Sequence, residues 1–322
     1  MAKRLTTRLA ILDDHQGVAR SMAPWDDLAW RVEPTFFSGP FASADAAVAA
    51  LQRFQAVVAM RERTAFPREV LERLPDLELL VTTGMANAAI DMQAARDLGV
   101  TVCGTSGSPA AAPELAWALL MAAARDIPAQ QEALRAGHWQ TGVGSELAGR
   151  TLGVLGLGKI GTRIAGYAQA FGMEVIAWSQ NLDAEGAAAA GAQLVTKREL
   201  FERADIVTLH VRLSERTRGL VGEVELRLLG PEGLLVNTAR GPLVDTDALV
   251  RGLTEGWLGG AALDVFDVEP LPSGHPLLGA PRTVLTPHLG YVTREQYRIF
   301  YGQALEDVTA WLDGAPIRVL NG

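Results

Sequence analysis

Between positions 8 and 105 the chain alternates short apolar runs with stretches whose apolar residues recur at helical spacing. The order is RLAILD, a helical stretch at 44–53, AVVAM, another at 68–73, LELLVTT, a third at 92–98, and VTVCG. Strand-length runs separated by helices predict a parallel α/β unit. A second series follows the same pattern: TLGVLG, MEVIAW, AQLV, DIVTLHV, GLLVNTA, GAALDVF and TVLTP, with helical stretches between most of them. Within it, Thr196 and Glu199 are spaced as a capping box ahead of Leu200 and Phe201. The join between the two series, 106–113, is rich in Ser, Gly, Pro and Ala and precedes 114–136, which reads as one long helix apolar nearly all round. Such a helix needs burial on several sides. It is either enclosed between two lobes or part of a subunit interface with Trp117, Leu120 and Met121 as anchors. A last helix is expected from Thr293, with Thr293 and Gln296 as a second capping box and Gly314 as the stop. Its apolar stripe is Tyr297, Phe300, Tyr301, Ala304, Leu305, Val308, Trp311 and Leu312. Coming after the last strand of the second series, this helix is expected to return and cover the first.

The stretch from Thr151 to Phe171, TLGVLGLGKIGTRIAGYAQAF, joins a buried strand, a glycine turn and an amphipathic helix. Gly156, Gly158 and Gly161 give G-x-G-x-x-G: the first for a tight turn, the second for close approach of the backbone to a pyrophosphate, the third for helix-to-strand packing. Free N–H groups and the dipole at the helix start, around Lys159 and Ile160, face the anion. The fold class expected is α/β with two doubly wound parallel-sheet lobes. A Rossmann nucleotide-binding domain, 106–289, is inserted into a smaller flavodoxin-like substrate domain made of 1–105 and 290–322.

Composition narrows the ligand. A length of 322 residues suits two domains at roughly 100–200 residues each. Hydrophobic residues at 48% with charged residues at 20% describe a well-packed globule. A net charge of −8 disfavours nucleic acid and anionic membranes, which call for a basic face, and favours small molecules. Cys103 stands alone, so no intramolecular disulfide or cysteine metal cage can form, and a reducing, cytoplasmic setting is expected. No signal peptide and no membrane-spanning run is expected, and no pair of histidines has helical metal-ligand spacing, so no metal is assigned.

Arg240 after LLVNTA, Glu269 after ALDVF and His288 after TVLTP stand just past the carboxyl ends of three expected strands. Strand ends of this kind form the ligand rim, where an arginine, a carboxylate and an imidazole could converge beside a nicotinamide. Hydride transfer to a 2-oxo acid needs a cation for the carboxylate, which the Arg240 fork supplies. It also needs a proton donor for the carbonyl oxygen, for which His288 suits, and Glu269 is a carboxylate that favours the imidazolium. Arg61, Glu62 and Arg63 after AVVAM, and 83–87 after LELLVTT, are candidate ligand loops. If 61–63 is strand-like, Arg61 and Arg63 share a face and suit a second anionic group on the substrate.

The segments GLGKIG, LVNTARGPLVD, ALDVFDVEP and TPHLGY, in this order and spacing, resemble those of the D-isomer-specific 2-hydroxyacid dehydrogenases, and the resemblance covers nearly the whole chain. It implies that Arg240 binds and orients the substrate, that Glu269 and His288 form the acid/base pair, and that Asp264 faces the nicotinamide. It implies that backbone amides of Gly84, Met85, Ala86 and Asn87 receive the substrate carboxylate. It further implies that LHVRLSERTRGLV borders the adenine and phosphates, although Arg212 stands where proline is usual. The expected cofactor contacts are Gly156, Gly158, Lys159, Ile160, Gly161, Ser179, Gln180, Asn181, His210, Val211, Thr217, Thr238, Ala239, Asp264 and Gly290. Family members with an acid after the second nucleotide-lobe strand prefer NAD; here Ser179, Gln180 and Asn181 follow MEVIAW, with neither that acid nor an arginine, so NAD is expected with NADP open. Glutamate rather than glutamine at 269 argues against formate dehydrogenase, and the regulatory tail of long phosphoglycerate dehydrogenases is not expected. The family commonly forms dimers through the helix matching 114–136, so a homodimer is expected. The expectation is an NAD(P)-dependent D-2-hydroxyacid dehydrogenase, with a corepressor-like nucleotide-sensing protein as the alternative on the same fold.

Overall fold

The computed structural model describes residues 6–322, which group into two units, 6–108 with 293–322 and 109–292. The first unit holds a five-stranded sheet of β1 (Thr7–Ile11), β2 (Val32–Phe36), β3 (Ala56–Ala59), β4 (Leu79–Thr82) and β5 (Thr101–Gly104) in the order β2-β1-β3-β4-β5. All its pairings are parallel. Residues of β3 and β4 are buried throughout, which is why these segments read as unbroken apolar runs. Strand β2 went unrecognised in the sequence. Its VEPTF alternates buried and exposed positions, and Pro34 lies opposite Leu9. A proline cannot donate to a ladder, so it is tolerated only where the strand is the edge, as here.

The helix Arg294–Leu312 belongs to this first unit and packs on β4 and β5. Tyr297, Phe300, Tyr301, Ala304 and Val308 are buried as expected from the stripe, but Asp307 is fully buried among them. Thr293 accepts from the Gln296 N–H at 3.1 Å, which is half of the expected box. The other half is missing because the Gln296 carboxamide turns away to accept from the Ser108 N–H at 2.6 Å.

The second unit holds β6 (Thr151–Leu155), β7 (Glu174–Trp178), β8 (Gln193–Leu194), β9 (Ile206–Leu209), β10 (Leu234–Asn237), β11 (Gly260–Leu263) and β12 (Thr283–Leu285). Their order is β12-β11-β10-β9-β6-β7-β8, again parallel throughout, so the sheet reverses winding between β6 and β9. Ligands of such sheets bind beyond the strand ends at this switch point. The Thr196–Glu199 box is complete in both directions.

The long helix expected at 114–136 is two helices, Ala111–Ala124 and Ile127–Arg135. Asp126 takes φ 50°, in the left-handed region, and Pro128 opens the second helix. Either feature ends a helix. Leu120 is only 1% exposed and packs with Leu152, Val154 and Val236, so it is core rather than an interface anchor. Trp117 packs edge-on against Tyr167 and tilted against Phe171. Among the described residues no helix is long and apolar enough to cross a membrane.

Candidate active site

The turn after β6 shows why each glycine is there. Gly156 has φ 101°, and a Cβ on it would lie 2.8 Å from the His210 carbonyl carbon and 2.7 Å from Val211 Cγ1. A Cβ on Gly161 would lie 2.1 Å from Gly156 O. These two are demanded by the protein's own packing. Gly158 is different: a Cβ there would meet nothing within 4 Å, and the residue is exposed. The helix Lys159–Ala170 that it opens has no side-chain cap, and Lys159 and Ile160 lie exposed in its first turn. Space above Gly158 and uncapped amides make a cradle that fits a pyrophosphate.

After β7, Ser179 is half-buried while Gln180 and Asn181 are exposed. The nearest acid beyond them, Asp183, is engaged as a helix cap, accepting from the Gly186 N–H at 2.8 Å. After β9, the His210 ring contacts Thr208 Oγ1 at 2.9 Å, and burial pushes its imidazole down to about 4, leaving it neutral. Thr217 closes the following loop, donating to Arg212 O at 2.7 Å and accepting from the Ser214 N–H at 2.8 Å.

At the ends of β10, β11 and β12 the structure brings Arg240, Glu269 and His288 together. Glu269 Oε2 meets His288 Nδ1 at 2.5 Å, and Oε1 accepts from the Phe266 N–H at 2.9 Å, so the carboxylate has one orientation. Burial opposes its ionisation, but the His288 hydrogen bond and charge, the Phe266 amide and the nearby Arg240 guanidinium outweigh it and hold the carboxyl below its usual range. His288 Nε2 has no hydrogen-bond partner among the described residues, which leaves that nitrogen for a ligand.

Three residues set this frame. Asn237, 1% exposed, accepts from the Ala239 N–H at 3.0 Å and donates to Arg240 O at 2.9 Å, fixing the turn that carries Thr238, Ala239 and Arg240. Gly241 lets this turn rest directly on the backbone of Phe266 and Asp267. Asp264, whose implied place was against the nicotinamide, is instead fully buried. It accepts from the Thr286 hydroxyl at 2.6 Å, the Leu289 N–H at 2.7 Å and the Gly290 N–H at 2.8 Å. Gly290 is thereby also buried and engaged, a part of the scaffold rather than a cofactor surface. Burial pushes the Asp264 carboxyl up despite these bonds. His288 itself has φ 55°, a conformation costing about 1–2 kcal/mol for an L-residue, and its N–H donates to Asp264 O at 2.8 Å. The Asp264 peg therefore holds the imidazole in an otherwise unfavourable backbone shape. Asn237 and Gly241 were missed in the sequence, although an Asn at a strand end and a Gly directly after the arginine are both turn signals.

In the first unit the loops after β3 and β4 form their own assembly. Residues 61–63 are not strand-like: Arg61 has φ 53° and the chain turns. The two arginines therefore diverge instead of sharing a face. Arg61 donates to Thr83 O at 3.0 Å and lies against Gly84, while Arg63 donates to Asp13 O at 2.8 Å. The Gly84 N–H is taken by Thr105 Oγ1 at 2.9 Å, and the Asn87 side chain is taken by Arg61 O at 2.7 Å and Thr82 Oγ1 at 2.9 Å. Met85 and Ala86 are exposed, with N–H groups that have no partner among the described residues. Of the four backbone amides expected to receive a carboxylate, that of Gly84 is taken, while those of Met85, Ala86 and the buried Asn87 have no hydrogen-bond partner among the described residues.

Residues 117–290 match the family described as D-isomer specific 2-hydroxyacid dehydrogenase, NAD binding domain. The chain is 39% identical over 264 residues to a glyoxylate reductase of Aeropyrum pernix, covering 79% of each. It is also 39% identical to a D-3-phosphoglycerate dehydrogenase of Methanocaldococcus jannaschii, over 74% of this chain but only 46% of that longer protein, so the chain spans about half of it. The crystal structure of a phosphoglycerate oxidoreductase from Vibrio cholerae superposes with a TM-score of 0.91 at 39% identity, covering 96% of this chain and all of the other.

Proposed function

The chain belongs to the D-isomer specific 2-hydroxyacid dehydrogenase family, NAD(P)-binding oxidoreductases, and from that premise we propose which of its residues reduce a small 2-oxo acid to the D-2-hydroxy acid, or run the reverse oxidation. The observation that carries the assignment is the Glu269–His288 hydrogen bond with Arg240 beside it. A dinucleotide whose pyrophosphate would be held by the Gly156–Gly161 turn would supply the hydride for C2 of the oxo acid. Arg240 holds the substrate carboxylate with its planar fork. His288 Nε2 delivers a proton to the carbonyl oxygen, and Glu269 compensates the charge on the ring through Nδ1. Met85 and Ala86, whose amides have no partner among the described residues, offer them to the carboxylate. Glyoxylate and 3-carbon 2-oxo acids are the substrate class, following the relatives' names.

The test is NADH and NADPH oxidation against a panel of 2-oxo acids including glyoxylate, in wild type and His288→Asn. Turnover abolished in the variant supports the assignment. Cofactor binding with no turnover of any 2-oxo acid would overturn it in favour of a nucleotide-sensing, corepressor-like protein.

The same reading includes a homodimer in the cytoplasm. The helix Ile127–Arg135 buries no residue, and Ile127, Leu134, Trp139 and Val143 are 50%, 56%, 77% and 100% exposed. Apolar exposure of this density suits contact with a second copy. Sedimentation of wild type against Leu134→Glu decides it: a wild-type monomer would refute the dimer.

A further inference from the structure

Residues 318–321 run antiparallel along the edge strand β5. Leu320 N–H donates to Val102 O at 2.8 Å and Gly104 N–H donates to Arg318 O at 3.1 Å. The Asn321 side chain imitates a further peptide, accepting from Val102 N–H at 2.9 Å and donating to Val100 O at 2.9 Å. Arg318 ties the segment to the helix Arg294–Leu312, donating to Asp307 and Glu306 at 2.9 Å each and to Gln303 O at 2.8 Å.

This segment closes a sheet edge, but Leu320 also reaches further. A Cβ on Gly104 would lie 2.9 Å from Leu320 Cδ1 and 2.7 Å from Gly84 O. Gly104 is thus gripped between the leucine side chain and the Gly84 peptide. The next residue, Thr105, is fully buried and receives the Gly84 N–H. Both ends of the Gly84 peptide environment are therefore fixed from β5, and β5 at that point is backed by Leu320. The two amides that follow, those of Met85 and Ala86, have no hydrogen-bond partner among the described residues.

We propose that Leu320 is a positioning residue for the substrate: by packing against Gly104, which lies against the Gly84 peptide and precedes the Thr105 that holds the Gly84 N–H, it sets the direction of the Met85 and Ala86 N–H groups. The inference rests on the reading that these amides receive the substrate carboxylate. A leucine that only filled the core would affect stability and leave substrate affinity alone. A positioning leucine controls the binding of the oxo acid while leaving cofactor binding, which uses the other unit, unchanged.

The experiment measures KM for glyoxylate, KM for NADH and kcat in Leu320→Ala, in the milder Leu320→Val, and in Thr105→Val, which frees the Gly84 N–H directly. Amide hydrogen exchange at Gly84, whose N–H is held by Thr105 Oγ1, is followed in the same proteins. Small displacements of binding groups carry large kinetic penalties, so Leu320→Ala is expected to raise KM for glyoxylate roughly tenfold, with KM for NADH within about twofold. Leu320→Val is expected to fall between, and exchange at Gly84 to quicken in the same order. If Thr105→Val raises KM for glyoxylate and neither Leu320 variant does, the positioning role is overturned while the loop keeps its function. If none of the three variants moves KM for glyoxylate, the loop is not a carboxylate site and the inference falls with that reading. Should Leu320→Ala fail to fold, the Leu320→Val kinetics and exchange decide alone.

Discussion

Replacing Gly241 with alanine tests whether Arg240 and Glu269 act from one rigid frame. The added Cβ would stand 2.1 Å from the Phe266 carbonyl carbon, 2.3 Å from its oxygen and 2.5 Å from the Asp267 nitrogen. Real Cβ atoms essentially never come within 3.0 Å of such neighbours, so the shortest contact is too close by 0.9 Å. All three neighbours are backbone, and no side-chain rotation relieves them. The turn bearing Arg240 and the turn at 266–269 must part by about that distance, and Glu269 moves with its own turn because Phe266 N–H holds its carboxylate. A misplacement on the order of 1 Å costs ~100-fold where reacting groups must align, equivalent to about 2.7 kcal/mol in the barrier. Overpacking of this kind should also lower stability by ~1–3 kcal/mol. The assay is kcat/KM for glyoxylate reduction, with NADH affinity measured separately by fluorescence. Cofactor affinity should fall less than kcat/KM, since the Gly156–Gly161 turn is untouched and only the contacts at Thr238 and Ala239 move. A folded Gly241→Ala enzyme with kcat/KM within about threefold of wild type would refute the reasoning, because it falls far short of the expected alignment penalty.

Arg240→Lys keeps the charge and loses the fork, so kcat/KM should fall by ~2–4 kcal/mol; kinetics close to wild type would remove Arg240 from carboxylate binding. With neither acid nor arginine at 179–181 and Asp183 engaged as a cap, NADH and NADPH should differ by less than ~100-fold in kcat/KM, about 2.7 kcal/mol. A larger preference would show a determinant elsewhere. Arg61→Ala should weaken a dianionic 2-oxo acid by ~1–3 kcal/mol relative to a neutral-tailed one, whereas Arg63→Ala should not discriminate between them; equal effects in both variants would leave no second anion site at Arg61. Asp307 has its carboxyl pushed up to about 7 by burial, only partly offset by the Arg318 charge and hydrogen bond. A carboxyl raised above its unfolded value of 3.8 gives stability that is fully present below that value and is lost as pH rises through about 7. The Tm of Asp307→Asn relative to wild type should therefore improve steadily from pH 4 to pH 8, and a difference independent of pH would contradict the assigned burial.

Central strands were legible because strands buried on both faces leave continuous apolar runs, as in AVVAM and LELLVTT. Strand β2 was not, since an edge strand needs burial at alternate positions only and can carry Pro34. The break at Asp126 was legible and was overlooked: Arg125 and Asp126 interrupt the apolar pattern, Pro128 marks a new start, and the second helix, IPAQQEALR, buries no residue. Arg240, Glu269 and His288 could be placed from their strand ends, a rule of topology that needs no side-chain detail. What holds them could not. Asp264 serves the His288 turn through three hydrogen bonds that no spacing reveals, and Gln296 leaves its own helix cap for Ser108, 188 positions away. Asp307 was hidden inside an apolar stripe because its partner, Arg318, lies past the end of the helix.

The lone cysteine has a use at the bench. Cys103 sits fully buried on β5, and burial pushes its thiol up to about 12, so almost no thiolate exists at neutral pH and alkylating reagents should leave the folded protein untouched. Any cysteine introduced on the surface becomes a unique attachment point for a dye or spin label, with no background to remove. The native thiol in turn acts as a built-in clock: Val319 bridges to Cys103 from the segment that covers β5. The rate at which Cys103 becomes alkylated then reports how often the packing around β5, the segment at 318–321 and the helix bearing Asp307 together, opens.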